Sequence, residues 1–129
     1  MYVLTEIEEV LCQELVDCAY KVHSKLGPGL LEKIYEACFC YELSKKEIPY
    51  KRQIKLSIKY DEMEFDEGLK LDVLVDDKII CEIKALDIIN PIWQAQVISH
   101  LKLTGLHVGF VLNFNVPIMK NGIRRYCKE

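Results

Sequence analysis

The chain has no apolar run approaching the roughly 20 residues that a membrane-spanning helix needs, and its first residues carry Glu6, Glu8 and Glu9 where a secretory leader would be basic and then apolar. A cytoplasmic protein with no membrane partner is the expectation. Glycine and proline are scarce, at 6 and 4 of 129 residues, and no segment is repetitive, which argues against a linker or disordered tail. Six cysteines are present, Cys12, Cys18, Cys38, Cys40, Cys81 and Cys127, but none forms a CxxC pair. Most sit among apolar residues and read as buried reduced thiols. Cys38 and Cys40, two apart in a helical pattern, point in different directions and make a poor zinc clip. An excess of positive charge is lacking too. The net charge is −3 and the pI near 5.7, which counts against a surface built to neutralise phosphates. Basic residues cluster only locally, at Lys45, Lys46, Lys51, Arg52, Lys55 and Lys59, and again at Lys120, Arg124, Arg125 and Lys128.

What is present is enough for one domain over residues 1–129, with half its residues hydrophobic and 29% charged. Thr5 and Glu8 form a capping-box pattern. Apolar residues then recur at helical spacing through Ile7, Leu11, Leu15, Cys18, Val22 and Leu26, predicting a helix from Glu6 to Leu26. Gly27-Pro28-Gly29 breaks it, and a second helix is expected from Leu30 to about Lys46. From Tyr50 the period changes to two, through Ile54, Leu56, Ile58 and Tyr60, with a hairpin partner beginning near Met63. Leu69–Val75 and Lys78–Ile83 read as two further strands. Asn90-Pro91 opens a helix to about Leu103, and Gly105 closes it. His107–Leu112 is a short strand, followed by irregular chain and a terminal strand through Ile123 to Cys127. The order predicts an α/β domain with a mixed sheet.

The segment from Leu69 to Ala85 carries the chemistry. With Asp76, Asp77 and Lys78 as a three-residue turn, Val75 faces Ile79, Val73 faces Cys81 and Leu71 faces Ile83. One face is then wholly apolar, and the other sets Asp72 across from Glu82 with Lys84 two residues on. Two carboxylates about 5 Å apart repel by roughly 3 kcal/mol at an effective dielectric near 20. A divalent cation removes that penalty. Hard oxygen ligands suit Mg²⁺ or Mn²⁺, and the backbone carbonyl of Ile83 could add another oxygen. Lys84 would orient or deprotonate the attacking water and steady charge developing on phosphorus. The plainer reading is an exposed ion cluster worth under about 1 kcal/mol. Against it, these charges interrupt strands so apolar that both faces should be buried.

Asp72, Glu82-Ile83-Lys84 and a following helix with Gln96 resemble the PD-(D/E)xK phosphodiesterase superfamily of restriction endonucleases and RecB-like nucleases. More narrowly, Gly29-Leu30-Leu31-Glu32-Lys33-Ile34-Tyr35 is similar to the motif that names the GxxExxY protein family. The likeness runs from the first helix to Asn113-Phe114-Asn115. It implies a restriction-endonuclease-like mixed β-sheet core flanked by helices. It also implies a Mg²⁺ or Mn²⁺ cofactor and a nucleic-acid substrate, DNA or RNA. Glu32 would join the acidic shell, binding metal through water, and Tyr35 shares its helical face. Gln96 and His100, four apart, resemble the QxxxY element, with histidine where tyrosine is usual. Leu71 replaces the proline of the superfamily's name.

Each added residue has a plainer role to set beside this. Glu32 suits the first turn of a helix for electrostatic reasons alone. Tyr35 is expected to pack and to tether with its hydroxyl. Gln96 fits a solvated helix position, and Trp93, the only tryptophan, fits the core. The leading expectation is a metal-dependent nuclease with Glu32, Asp72, Glu82, Lys84 and Gln96 catalytic. The alternatives are a non-catalytic nucleic-acid-binding or regulatory module on the same fold, and a structural protein. With no separate DNA-reading segment, specificity would come from a homodimer or protein partner or from nucleic-acid structure, and a dimer would be a natural route to double-strand cleavage.

Overall fold

The computed structural model describes the backbone of all 129 residues and every side chain except that of residue 67. Helix α1 (Glu6–Leu26) begins where the capping box requires. The Glu8 amide donates to the Thr5 hydroxyl at 3.1 Å, and the Glu8 carboxylate accepts from the Thr5 amide at 2.9 Å. It ends at Gly27, whose φ of 66° would strain any other residue. Helix α2 (Glu32–Lys45) follows. The strands are β1 (Tyr50–Tyr60), β2 (Met63–Val75), β3 (Ile79–Lys84), β4 (Val108–Asn113) and β5 (Ile123–Cys127). Helix α3 (Ile92–Thr104) crosses between β3 and β4, and a 3₁₀ turn over Met119–Gly122 precedes β5. No helix is long and apolar enough to cross a membrane.

The five strands form one sheet in sequence order. Only β3 and β4 are parallel, because only they are joined by a helical crossover long enough to return the chain to the same end. The other neighbours are antiparallel. Helices α1 and α2 cover one face, sealing a core that includes Leu15, Tyr35, Phe39, Val73, Cys81 and Phe114. Helix α3 covers the other with Trp93, Val97 and Leu101 on Ile80 and Val111. It lies close: a Cβ on Gly109 would come within 2.5 Å of Val97. All six cysteines are free thiols, and only Cys127 is exposed.

Two expectations change here. The strands foreseen near Met63 and at Leu69–Val75 are one 13-residue strand, β2, paired along its length with β1. The all-apolar hairpin face also stops short of Leu71. Val73 and Val75 pack under α1 and α2, whereas Leu69 and Leu71 pack with α3. Tyr50 and Ile54 of β1 are divided between the two cores in the same way. Both strands therefore turn over between Arg52 and Ile54, and between Leu71 and Val73. Gln53 sits at that point with a φ of 51°, which breaks the two-residue alternation. Asp72 is the β2 residue at the turnover.

Candidate active site

The site grows from the place where β2 and β3 part. Their ladder holds the expected register, Val75 with Ile79 and Val73 with Cys81, and ends there. Beyond it the Asp72 carboxylate takes over, its Oδ2 accepting the Ile83 amide at 2.9 Å. A strand residue's N–H and C=O project toward the same neighbour, so the Ile83 carbonyl also faces β2 past the last ladder pair. The next residue confirms the alternation, since the Lys84 carbonyl turns toward β4 and accepts the Phe114 amide at 3.0 Å.

Glu82 is 6% exposed. Its Oε1 meets His100 Nδ1 of α3 at 2.8 Å, which leaves Oε2 free, as Asp72 Oδ1 is. The two carboxyls interact. Burial first, and then the Glu82 charge, push the Asp72 carboxyl up to about 6, against smaller downward pulls from the Ile83 amide and Lys84. Glu32, the first residue of α2, is also raised, by burial first and then by Asp72, while Lys84 and Lys70 oppose the shift. Glu32, Asp72, Glu82 and Lys84 thus share one electrostatic neighbourhood, built from α2, β2 and β3. Lys84 is half-buried, with Nζ 5.7 Å from the centre of the Trp93 ring. Gln96 stands one turn before His100 but is exposed, and no hydrogen bond among the described residues ties it to the cluster.

Behind Lys84 lies a clasp. Asn113 is buried, accepts the Leu86 and Asn115 amides, and donates to the Leu86 carbonyl. Asn115 accepts the Gly29 amide at 3.0 Å and donates to Asp87. Phe114 stacks on Tyr35 with centroids 4.8 Å apart. The Tyr35 hydroxyl donates to the Gly27 carbonyl at 2.6 Å and accepts the Leu30 amide at 3.0 Å. Gly29, Glu32 and Tyr35 therefore act together: the tyrosine locks the glycine turn that sets where α2 begins, and so where Glu32 stands. Tyr35→Phe keeps the ring stack but leaves two backbone groups short of a partner. It is expected to cost about 1–3 kcal/mol in urea unfolding, and a change below about 0.5 kcal/mol would show the tether to be dispensable.

Sequence reasoning missed Asn113, Phe114 and the contact of Trp93 with Lys84. The Asn-Phe-Asn run after an apolar strand was the available signal for the first two. The first basic cluster is mostly paired, Lys46 with Glu14 and Asp17, Arg52 with Glu36, Lys51 with Asp77, and Lys45 with Glu42, whereas in the second Arg125 lies 3.9 Å from Glu9.

The donor set can be tested against a metal. Among the described residues no group of three or more His, Cys, Asp or Glu side chains converges as a ready cage. Two carboxylates with a free oxygen each, beside a free-facing carbonyl, instead suit a hard ion that keeps waters and shares its shell with substrate phosphate.

Residues 9–126 match the PD-(D/E)XK nuclease superfamily. The chain belongs to that superfamily. No curated protein and no solved structure matches it. Its mixed sheet between α1 and α2 on one face and α3 on the other is the restriction-endonuclease-like α/β arrangement. PD-(D/E)XK nucleases generally use divalent metals and act on nucleic acid, so the superfamily supports a nuclease-like function.

Proposed function

We propose that the protein is a Mg²⁺- or Mn²⁺-dependent nuclease that hydrolyses phosphodiester bonds in DNA or RNA. The observation that carries this is the end of the β2–β3 ladder. There the Asp72 carboxylate accepts the Ile83 amide, the Ile83 carbonyl faces the same gap between strands, and the half-buried Asp72 and buried Glu82 carboxylates repel each other without a cation. Those three groups would hold the ion, with Glu32 reaching it through water. When bound, the cation would offset the carboxylate charge and act as a Lewis acid toward the phosphate. The chain supplies the rest. His100 fixes the rotamer of Glu82, and Trp93 steadies the Lys84 ammonium, which orients the attacking water and faces the charge that grows on phosphorus. Gln96, exposed at the rim, positions substrate backbone or water. The narrower likeness to the GxxExxY family is supported by the Tyr35 tether, which gives Gly29, Glu32 and Tyr35 one shared purpose.

A second reading, a nucleic-acid-binding or regulatory module without turnover, is favoured by the net charge of −3 and by the pairing of so many basic side chains. A cleavage assay over single- and double-stranded DNA and RNA with Mn²⁺ separates the two. Cutting of at least one substrate, abolished by EDTA, supports the nuclease; binding without cutting supports the module. His100→Ala is expected to weaken Mn²⁺ affinity and cleavage by roughly 10–100-fold through loss of the support behind Glu82. His100→Gln, which can still donate to Glu82, should recover part of that loss. Equal activity in wild type and His100→Ala would remove His100 from the scheme.

A further inference from the structure

Beside the proposed centre, on the face covered by α3, lies a cavity of about 150 Å³. Its walls include Trp93, Gln94, Asn113, Asn121, Arg124 and Tyr126. The register places it. Glu82 pairs with Val111 and Val111 with Arg124, forming one row across the sheet, and Lys84 pairs with Asn113 in the next. Registered neighbours present their side chains on the same face. The cavity floor is therefore one to two strand spacings, about 5–10 Å, from Glu82. Gly122 keeps the far wall tight, since a Cβ there would meet the Asn113 carbonyl oxygen at 2.0 Å.

The lining has a particular chemistry. Trp93 and Tyr126 offer aromatic surface. Asn113 spends its side-chain amide on the Leu86 clasp, but the side-chain amides of Gln94 and Asn121 make no hydrogen bond among the described residues. Each carries a donor and an acceptor side by side, which suits the edge of a heterocyclic base. Arg124 is exposed at the mouth and bonds only the neighbouring Ile123 carbonyl through one nitrogen, leaving donors for a phosphate. We propose that this cavity binds an unpaired nucleobase of the substrate, next to the phosphate held at Glu82 and Lys84. The chain would then favour single-stranded or locally unpaired nucleic acid, because a base inside a duplex cannot enter a walled cavity. The assignment of the neighbouring phosphate rests on the nuclease reading, whereas binding of the base does not.

Trp93 is the only tryptophan in the chain, so its fluorescence reports on this cavity and on the adjoining Lys84, and the sugar phosphate separates the two. Titration with each of the four deoxynucleoside 5′-monophosphates in EDTA is expected to give a saturable change for at least one, and deoxyribose 5-phosphate none. The double variant Gln94→Ala/Asn121→Ala should bind roughly tenfold more weakly, while a wild-type Mn²⁺-induced rise in Tm shows that it is folded. A response to the sugar phosphate equal to that of the nucleotides, no saturation with any nucleotide, or unchanged binding in the double variant would each overturn the proposal. Cleavage without base binding would overturn the cavity and spare the nuclease. Base binding without cleavage of any substrate would support the cavity and overturn the nuclease.

Discussion

Replacing Lys84 with alanine is expected to reduce Mn²⁺-dependent cleavage by roughly 10²–10⁴-fold, the range that a positioned proton-transfer or charge-stabilising group supplies. That is about 3–5 kcal/mol of barrier. Metal binding should survive, because Lys84 contributes no oxygen to the carboxylate pair. Removal of its positive charge, which now pulls the Asp72 carboxyl down, should even let the cation compete on better terms. Glu82→Gln separates the two effects. It keeps the shape of the side chain and a partner for His100, but removes the charge that would hold the ion. The rise in Tm on adding Mn²⁺ should therefore disappear together with cleavage. The pair is decisive because each variant moves a different readout. Lys84→Ala loses turnover and keeps the metal response, and Glu82→Gln loses both. Full cleavage by purified Lys84→Ala would locate the activity elsewhere, and an unaltered Mn²⁺ response in Glu82→Gln would remove that carboxylate from the metal site.

The hairpin was legible in the sequence because side-chain type leaves one register that keeps Val73, Val75, Ile79 and Cys81 together, and the structure has that register. Helix α1 was legible to the residue because Thr5, Glu8 and Gly27 mark its ends chemically. The turnover at Gln53 and Asp72 was not. Glutamine carries no preference for a positive φ, so nothing local announced that Leu71 would leave the face of Val73. The fusion of two expected strands into β2 was hidden for a related reason, since the charged stretch around Phe65 is strand because Lys59 and Ile58 of β1 pair with Glu64 and Phe65. Within the site, Asp72, Glu82 and Lys84 could be found from their intrusion into apolar strands. Their partners could not, because His100 lies 18 residues from Glu82 and meets it only once α3 folds back on the sheet.

The same intrusion predicts that the site is held at a cost to stability. The Asp72 carboxyl lies at about 6 against an ordinary value of 3.8, so its ionised form is disfavoured in the folded chain. Below about pH 3 the carboxyl is protonated in both folded and unfolded chains, and it contributes nothing. As pH rises from about 3 to 6 the unfolded chain ionises first, and folding is progressively penalised. Above the folded value the penalty is complete, on the order of 2–3 kcal/mol. Asp72→Asn abolishes it while keeping an oxygen for the Ile83 amide and an N–H for Glu82. In EDTA at pH 8 the variant should melt roughly 5–15 °C above wild type, and at about pH 3 the two should coincide. Saturating Mn²⁺ at pH 8 should reverse the order. The wild type gains about 4.1 kcal/mol at a thousandfold excess over the dissociation constant, more than the penalty, and the variant, lacking one charged ligand, gains little. A gap that persists unchanged at about pH 3 would mean that Asn is simply better packed. The absence of any gap at pH 8 would mean that Glu82 and burial do not strain Asp72, and the case for a cation between them would lose its physical basis.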